Sequence, residues 1–228
     1  MKRIIVIGSP GAGKSTFARQ LRDITGLPLY YLDMIWHLPD RTTITKDEFD
    51  QKLMDILKTD TWIIDGNYGR TIEMRVKSCD TVFLLDYPLE VCLAGAKARV
   101  GKKREEIPWV EEELDEEFRQ WIIDFPETKL PQIYGLLEQY GAGKEIHIFR
   151  IGSPIYLGDI TSQVHALIER LHFCALSYDN YSNYFTGKVN VGSETFEWEE
   201  IRCSKRIMIT VLRLCPSRTE KALDRCFL

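Results

Sequence analysis

The stretch Gly8-Ser9-Pro10-Gly11-Ala12-Gly13-Lys14-Ser15 fits the pattern G-x-x-x-x-G-K-[ST] at every defined position. An apolar run, Ile4-Ile5-Val6-Ile7, precedes it, and a helix-like stretch from Thr16 to Ile24 follows it. The glycines allow the backbone to turn its N–H groups inward, where they can bind phosphate oxygens. The strand before the loop and the helix after it favour this function over a glycine-rich turn that binds nothing.

In this pattern, known as Walker A, the lysine reaches the β- and γ-phosphates and the last hydroxyl binds Mg²⁺. The N-terminus of the following helix adds positive potential. We therefore predict that the chain binds ATP or GTP through Mg²⁺. The sequence has no Asn-Lys-x-Asp motif that would read guanine, which favours ATP. The predicted nucleotide-binding residues are Gly8, Ser9, Pro10, Gly11, Ala12, Gly13, Lys14, Ser15 and Thr16.

Composition narrows the class of protein. The chain has 228 residues, 44% of them apolar, which suits one large domain or one domain with an appendage. A net charge of −4 disfavours a protein that coats DNA. The sequence contains six cysteines but no CxxC pair, so we expect no cysteine-bound metal. It has no apolar stretch of about 20 residues, and its start runs directly into a strand, so we expect neither a membrane span nor a leader. Together these features predict a cytoplasmic protein.

Strand-like and helix-like segments alternate along the first 150 residues, which predicts a five-stranded parallel sheet covered by helices on both faces. The expected strands are 2–7, 28–33, 62–65, 81–86 and 145–149. The expected helices are 14–24, 46–58, 89–100, 111–125 and 129–140. Asp33, Asp65 and Asp86 then stand at the carboxyl ends of strands, the edge at which such sheets bind ligands.

The pattern becomes weaker after Arg150. Residues 159–172 are expected to form one more helix, so we predict a domain over 1–172 and an extension over 173–228 whose fold is unassigned. Within that extension only Ile207–Leu214 reads as a strand. The segment Gly141–Lys144 echoes the phosphate loop but lacks its Ser or Thr, and we interpret it as a turn that ends a helix.

The first 150 residues resemble the adenylate-kinase-related P-loop kinases, and in particular the group called DNA topology modulation proteins (FlaR-like). The resemblance rests on Leu32-Asp33-Met34-Ile35-Trp36, Ile64-Asp65-Gly66-Asn67-Tyr68, Leu85-Asp86-Tyr87-Pro88 and the stretch 99–125 with Pro108-Trp109. It implies the three-layer α/β fold of P-loop NTPases with a short basic lid at about 99–110. It also implies that residues 150–155 border the adenine base.

The resemblance implies roles for individual residues. The catalytic group is expected to be Lys14, Asp33, Asp65 and Arg99, with Ser15 and Asp65 at the metal. Asp65 would orient metal-bound water, and Asp33 would meet the acceptor. For both aspartates the alternative is a helix cap or a loop carboxylate. Asp86 is interpreted as part of a strand-ending turn.

The expected substrate-binding residues are Asp33, Trp36, Gly66, Asn67, Arg70 and Arg104. By resemblance Arg70 would grip an acceptor phosphate, although a surface arginine is an equal alternative. Arg75 is expected to be a solvated helix residue. Gly95 stands where related kinases have the earlier of two lid arginines. Trp36, with His37 and Trp109, is a candidate to line the acceptor pocket, the alternative being core packing.

These observations favour an ATP-dependent kinase that transfers the γ-phosphate to a small-molecule or nucleotide-like acceptor. Two alternatives remain: an ATP-binding regulator of DNA topology that phosphorylates no substrate, and a simple ATPase. Acids at 111–117 follow the basic lid at 97–104, so direct DNA binding is not expected. Neither the acceptor nor the oligomeric state follows from the sequence.

Overall fold

The computed structural model describes residues 1–151, 184–191, 194–204 and 207–214. The expected helix at 159–172, and residues 152–155 beside the base, lie outside the described residues. Within the described ranges, no helix is both long enough and apolar enough to span a membrane.

One sheet with the strand order β2-β3-β1-β4-β5-β8-β7-β6 organises the described chain. Its strands are β1 (Arg3–Gly8), β2 (Leu29–Tyr31), β3 (Trp62–Asp65), β4 (Thr81–Leu85), β5 (Glu145–Ile151), β6 (Tyr184–Val191), β7 (Glu194–Ser204) and β8 (Ile207–Leu214). The first five are parallel, which confirms the predicted sheet. The predicted strand Ile207–Leu214 is also present and extends the sheet in parallel beside β5. Strands β7 and β6 continue it in antiparallel fashion.

Seven helices accompany these strands within residues 1–151. They are α1 (Lys14–Thr25), α2 (Leu32–Trp36), α3 (Lys46–Leu57), α4 (Gly69–Ser78), α5 (Leu89–Ala98), α6 (Glu116–Thr128) and α7 (Leu130–Tyr140).

The alternation of side chains along β1 divides the core into two layers. Ile4 and Val6 point into a cluster with the apolar faces of α1 and α5, whereas Ile5 and Ile7 point into a cluster with α3, α4 and α7. All four side chains are fully buried. A strand that is apolar on both faces therefore lies at the centre of a three-layer α/β/α structure.

Two predicted elements differ from the structure. The second strand ends at Tyr31, and α2 follows at once, held by the hydrogen bond from His37 N to Asp33 O. Asp33 thus lies in the first turn of a short helix and not at a strand end. The helix predicted over 111–125 begins at Glu116, because the side chain of Asp115 caps its first turn.

Helix α5 packs directly on the phosphate loop, and glycines make this contact possible. A Cβ atom at Gly95 would lie 2.1 Å from the carbonyl oxygen of Gly11, and a Cβ at Gly11 would lie 2.0 Å from that of Cys92. The chain therefore has no room for any side chain at position 95, which explains why an arginine is absent there.

We predict that Gly95→Ala lowers the free energy of unfolding by about 1–3 kcal/mol, because the added methyl group must displace the loop backbone. The same change should weaken nucleotide binding. Gly135→Ala in α7 is the matched control, since a Cβ there meets nothing within 4 Å, and it should raise stability by about 0.5–1 kcal/mol. Urea unfolding of both variants measures the difference, and equal effects would contradict the packing argument.

Candidate active site

A cleft of about 1130 Å³ lies where the loops after β1 and β3 meet α2, the segment 99–115 and α6. It brings together most of the residues that the sequence analysis selected. The predicted residues that line it are Pro10, Lys14, Ser15, Asp33, Trp36, Asp65, Gly66, Asn67, Arg70, Arg99 and Arg104. Asp86 is not among the lining residues; its carboxylate accepts hydrogen bonds from Tyr134 and Arg150.

A hydrogen bond between its own residues holds the phosphate loop. The Nζ of Lys14 donates to the carbonyl oxygen of Ser9 at 2.9 Å, and Gly11 and Gly13 have the left-handed φ values of 81° and 82° that this turn requires. Burial lowers the pKa of Lys14, while the charges of Asp65 and Asp33 raise it. The two carboxylates thus oppose, but do not cancel, the effect of burial on the pKa of this lysine.

Asp65 ends β3 and is almost fully buried, with 5% of its surface exposed. Burial raises its pKa to about 6, against the opposing effects of the Lys14 charge and a hydrogen bond from Ser15. Its Oδ1 is buried without a hydrogen-bond partner. A carboxylate oxygen left free beside a serine hydroxyl fits Mg²⁺, which takes one or two protein ligands and completes its shell with phosphates and water.

Arg75 is the main correction to the sequence analysis. It is fully buried, not solvated, and it donates to the carbonyl oxygens of Gly66 at 2.7 Å, Asn67 and Tyr68 at 3.3 Å. Burial lowers its pKa to about 9. The signal was in the sequence: position 75 lies on the apolar face of α4 that carries Ile72, Val76 and Cys79.

Tyr68 holds the other end of the same loop. It adopts an unusual φ of 38°, stacks on Phe49 with 5.0 Å between the ring centroids, and donates its hydroxyl to Asp33 Oδ1 at 2.9 Å. Backbone strain of this kind persists where the surroundings fix it, and it is frequent at functional sites. Tyr68 therefore orients the carboxylate of Asp33 toward the cleft that both residues line.

The side chain of Asn67 is committed to the phosphate loop. It accepts from Gly8 N at 3.1 Å and donates to Gly8 O at 2.8 Å, and thus joins the end of β1 to the loop after β3. Arg70 is committed as well, through two hydrogen bonds to Asp50 at 2.5 and 2.8 Å. Both residues line the cleft, but each already has a protein partner.

Arg99 and Arg104, the two arginines of the lid, are paired with carboxylates. Arg104 contacts Glu106 at 3.0 Å and Glu111 at 2.9 Å, and Arg99 contacts Glu111 at 3.2 Å. Glu106 is 6% exposed and also accepts from Arg19 of α1 at 2.9 Å, so it ties the lid to the helix behind the phosphate loop. The sequence analysis missed Glu106, because nothing in the run of charges around it indicates burial.

Three tryptophans, Trp36, Trp109 and Trp121, line part of the cleft and are called the aromatic wall. Trp36 packs edge-on against Phe49 and Tyr68 at centroid distances of 5.4 and 6.3 Å. His37 packs edge-on against Trp109 at 4.9 Å, and its Nδ1 is buried without a hydrogen-bond partner. Further along the lining, Trp121 remains 38% exposed.

The second glycine-lysine segment is structural, as interpreted. Gly141 closes the end of α7 through its hydrogen bond to Leu137 O. Lys144 donates to the carbonyl oxygens of Lys77 and Cys79 at 3.1 and 2.7 Å, and so satisfies the carboxyl end of α4.

Sequence comparison relates the chain to adenylate kinases. It is 32% identical over 97 residues to the adenylate kinase of Thermotoga maritima, covering 41% of this chain and 43% of the relative. It is 35% identical over 105 residues to that of Thermosipho melanesiensis, covering 44% and 47%. The chain thus matches less than half the length of these relatives. With the phosphate loop, this similarity supports a P-loop, nucleotide-kinase-like protein. No protein-family model matches the chain.

Among solved structures, a shikimate kinase from Bacteroides thetaiotaomicron has a TM-score of 0.45 at 18% identity, covering 75% of this chain and 98% of its own. A sugar kinase from Janibacter sp. HTCC2649 has a TM-score of 0.43 at 17% identity, covering 76% and 93%. Because both scores are below 0.5, the fold is established here by the strand order and the phosphate loop.

We predict that Asp65→Asn stabilises the protein in EDTA as the pH rises. The raised pKa means that the folded state favours the protonated carboxyl of Asp65. Ionisation of Asp65 therefore does not reduce the free energy of unfolding below pH 3.8, its ordinary pKa, and reduces it by the full amount above about pH 6. The gain in unfolding free energy should grow between these values to about 1–3 kcal/mol. Asp55→Asn, at an exposed carboxylate, controls for lost charge. A gain independent of pH would contradict the assignment.

We also predict that Arg75→Gln lowers the free energy of unfolding by about 2–4 kcal/mol, because it leaves buried carbonyl oxygens of the 66–68 loop unpaired. Arg70→Gln on the same helix removes an equal charge from an exposed ion pair and should change stability little. Chemical denaturation measures both. If the two variants lose the same stability, the buried guanidinium has no special structural role.

Proposed function

We propose that the chain transfers the γ-phosphate of Mg-ATP to a small-molecule or nucleotide-like acceptor. The observation that carries this proposal is the shared cleft: Lys14 of the phosphate loop and Asp33 of α2 line the same cavity, and each contributes to the electrostatic environment of Asp65. A donor-side cation and an acceptor-side carboxylate in one cavity suit an in-line transfer between two bound molecules.

On the donor side, residues Gly8 to Thr16 would surround the phosphates with backbone N–H groups. Lys14 would leave the carbonyl of Ser9 and bind the β- and γ-phosphates. Ser15 and Asp65 would hold Mg²⁺, which, when bound, neutralises charge on the phosphate oxygens. Gly13 and the first turn of α1, which contains no acidic residue, leave the helix N-terminus free for an anion.

On the acceptor side, Asp33 would accept the proton of the attacking group, and Tyr68 would keep its carboxylate in place. Trp36, Gly66 and Asn67 would border the acceptor. Arg99 would stabilise charge that develops on the transferring phosphoryl group, with Arg104 beside it. The charge of Arg99 already influences Lys14, which supports its nearness to the γ-phosphate position.

We also propose that the chain is related to the DNA topology modulation proteins. Direct action on DNA is disfavoured by the cleft lining, which among the described residues includes seven carboxylates and six cationic side chains. A phosphate backbone gains little from such a surface. The kinase proposal is favoured over the regulatory one because Asp33 adds a second carboxylate to the cavity that Lys14 and Asp65 line.

The test is Lys14→Ala, with Lys58→Ala at the exposed end of α3 as the matched control. Calorimetric titration with Mg-ATP and ADP release in the presence of hydroxylated metabolites and nucleotides measure binding and turnover. Lys14→Ala should lower turnover by about 100-fold or more, since it removes the main cation at the phosphates, while Lys58→Ala should match the unchanged protein. Turnover that survives Lys14→Ala would contradict the proposal, and ADP release independent of any acceptor would indicate an ATPase.

A further inference from the structure

We propose that the acceptor is a hydroxylated ring compound without a phosphate group, of the sugar or nucleoside class. This inference rests on the proposed phosphotransfer and concerns the acceptor half of the cleft. We define this half as the lining formed by residues 33–41, 66–70 and 99–129. The inference follows from two features of that half: three of its arginines, Arg70, Arg99 and Arg104, already pair with carboxylates, and its lining includes aromatic side chains.

The lid arginines carry little free charge toward the acceptor. Arg104 lies between two carboxylates, Glu106 and Glu111, and the side chains of Arg104 and Glu106 are only 12% and 8% exposed. Arg99 shares Glu111 and packs over the ring of Phe118 at 5.0 Å. Low exposure strengthens the attraction within these ion pairs, and a phosphate would have to replace Glu106 and Glu111 at Arg104 and Glu111 at Arg99.

The other cationic side chains of the acceptor half would also attract a phosphate group only weakly. Arg70, which could have gripped a phosphate, presents its guanidinium to Asp50 in a two-pronged pair. Arg41 and Lys129 line the cleft but are exposed to water, where a contact with phosphate contributes weakly.

Acidic side chains line the same half and would repel a phosphorylated acceptor. Asp33 lines the cleft from α2. The exposed Glu112, Glu113 and Asp115 follow Glu111 along it, where water weakens their repulsion as it weakens the attraction of Arg41 and Lys129. Groups that disfavour the wrong ligand determine specificity as much as groups that attract the right one. A phosphate dianion beside these carboxylates would lose affinity that an uncharged molecule keeps.

The aromatic wall is suited to an uncharged ring. Trp36, Trp109 and Trp121 present flat apolar surfaces, on which the C–H face of a sugar or the plane of a base can pack. His37 adds a buried Nδ1 without a partner beside Trp109. A hydroxyl or amide group of the acceptor can satisfy this nitrogen, whereas an apolar ligand cannot.

The chemistry of a hydroxyl acceptor balances with the groups at hand. The acceptor oxygen forms a bond to the γ-phosphorus while the bond from that phosphorus to the β–γ bridging oxygen breaks. ADP leaves with the bonding electron pair, and the hydroxyl proton passes to the carboxylate of Asp33. The products are ADP, the phosphorylated acceptor and one proton that Asp33 returns to water.

The test uses matched pairs that differ by one phosphate: adenosine and AMP, ribose and ribose 5-phosphate, glucose and glucose 6-phosphate. Each compound is titrated into the full chain saturated with Mg²⁺ and a non-hydrolysable ATP analogue, with fluorescence of the cleft tryptophans as the readout. ADP release with ATP is measured in parallel. Failure of the analogue itself to bind would defeat the proposed function, and so is distinguished from a wrong acceptor class.

We expect ADP release to be stimulated by unphosphorylated members and the phosphate-bearing members to bind at least tenfold more weakly than their partners. Glu111→Gln and Asp50→Asn should each strengthen binding of the phosphate-bearing members several-fold, because they free an arginine. Asp55→Asn on α3, outside the cleft, should change nothing.

Comparison of the adenosine pair with the two sugar pairs shows whether the acceptor is a nucleoside or a sugar. Tighter binding or faster turnover of AMP or of a sugar phosphate by the unchanged protein would overturn the proposal. So would a failure of both Glu111→Gln and Asp50→Asn to improve phosphate binding. If no compound is turned over, weak phosphate binding that both variants relieve still supports it.

Discussion

The electrostatic balance between Lys14 and Asp65 is the constraint on which the rest of the site depends. Asp65 is almost fully buried and Lys14 is half-buried, and the charge of each opposes the effect of burial on the other's pKa. Such a pair is stable only if its surroundings hold both partners in place. Two clamps do this: Asn67 joins the ends of β1 and β3 through Gly8, and the guanidinium of Arg75 holds the carbonyls of the following loop. Asn67 follows β3 and holds the end of β1, and Arg75 of α4 holds the carbonyl of Gly66 beside Asp65.

The arginines of the lid, on the other side of the cleft, also lie close to carboxylates. Its arginines are partnered by glutamates of the lid itself, and Glu106 carries that network back to Arg19 on α1. Closure over a nucleotide would therefore exchange one set of partners for another and would not create new charge in the cleft. Among the described residues that line the cleft, the phosphate loop combines the N-terminus of α1 with a lysine, so it is the expected site for any phosphate that enters.

The sequence was most informative where one local pattern determines one local structure. The phosphate loop, the apolar strands and the parallel sheet follow directly from Gly8–Ser15 and its neighbours, since spacing and hydrophobicity are local properties. Asp33 was assigned to the right edge but the wrong element, because a five-residue helix has no periodicity to read. Arg75 was missed although its place on the apolar face of α4 is a local signal, whereas Glu106 was missed because its partner Arg19 is distant in the chain. Residues that hold a site together are less visible in sequence than those that face its ligand.

The most direct test of the account is a crystal structure of the full chain with Mg²⁺ and a non-hydrolysable ATP analogue. We predict that Lys14 Nζ leaves the carbonyl of Ser9 for the β- and γ-phosphates, that Mg²⁺ lies on the Ser15 hydroxyl with Asp65 beside it, and that the γ-phosphate faces Asp33 across the cleft. A nucleotide bound outside the phosphate loop, or a γ-phosphate directed away from Asp33, would contradict the central claim that donor and acceptor share this cleft.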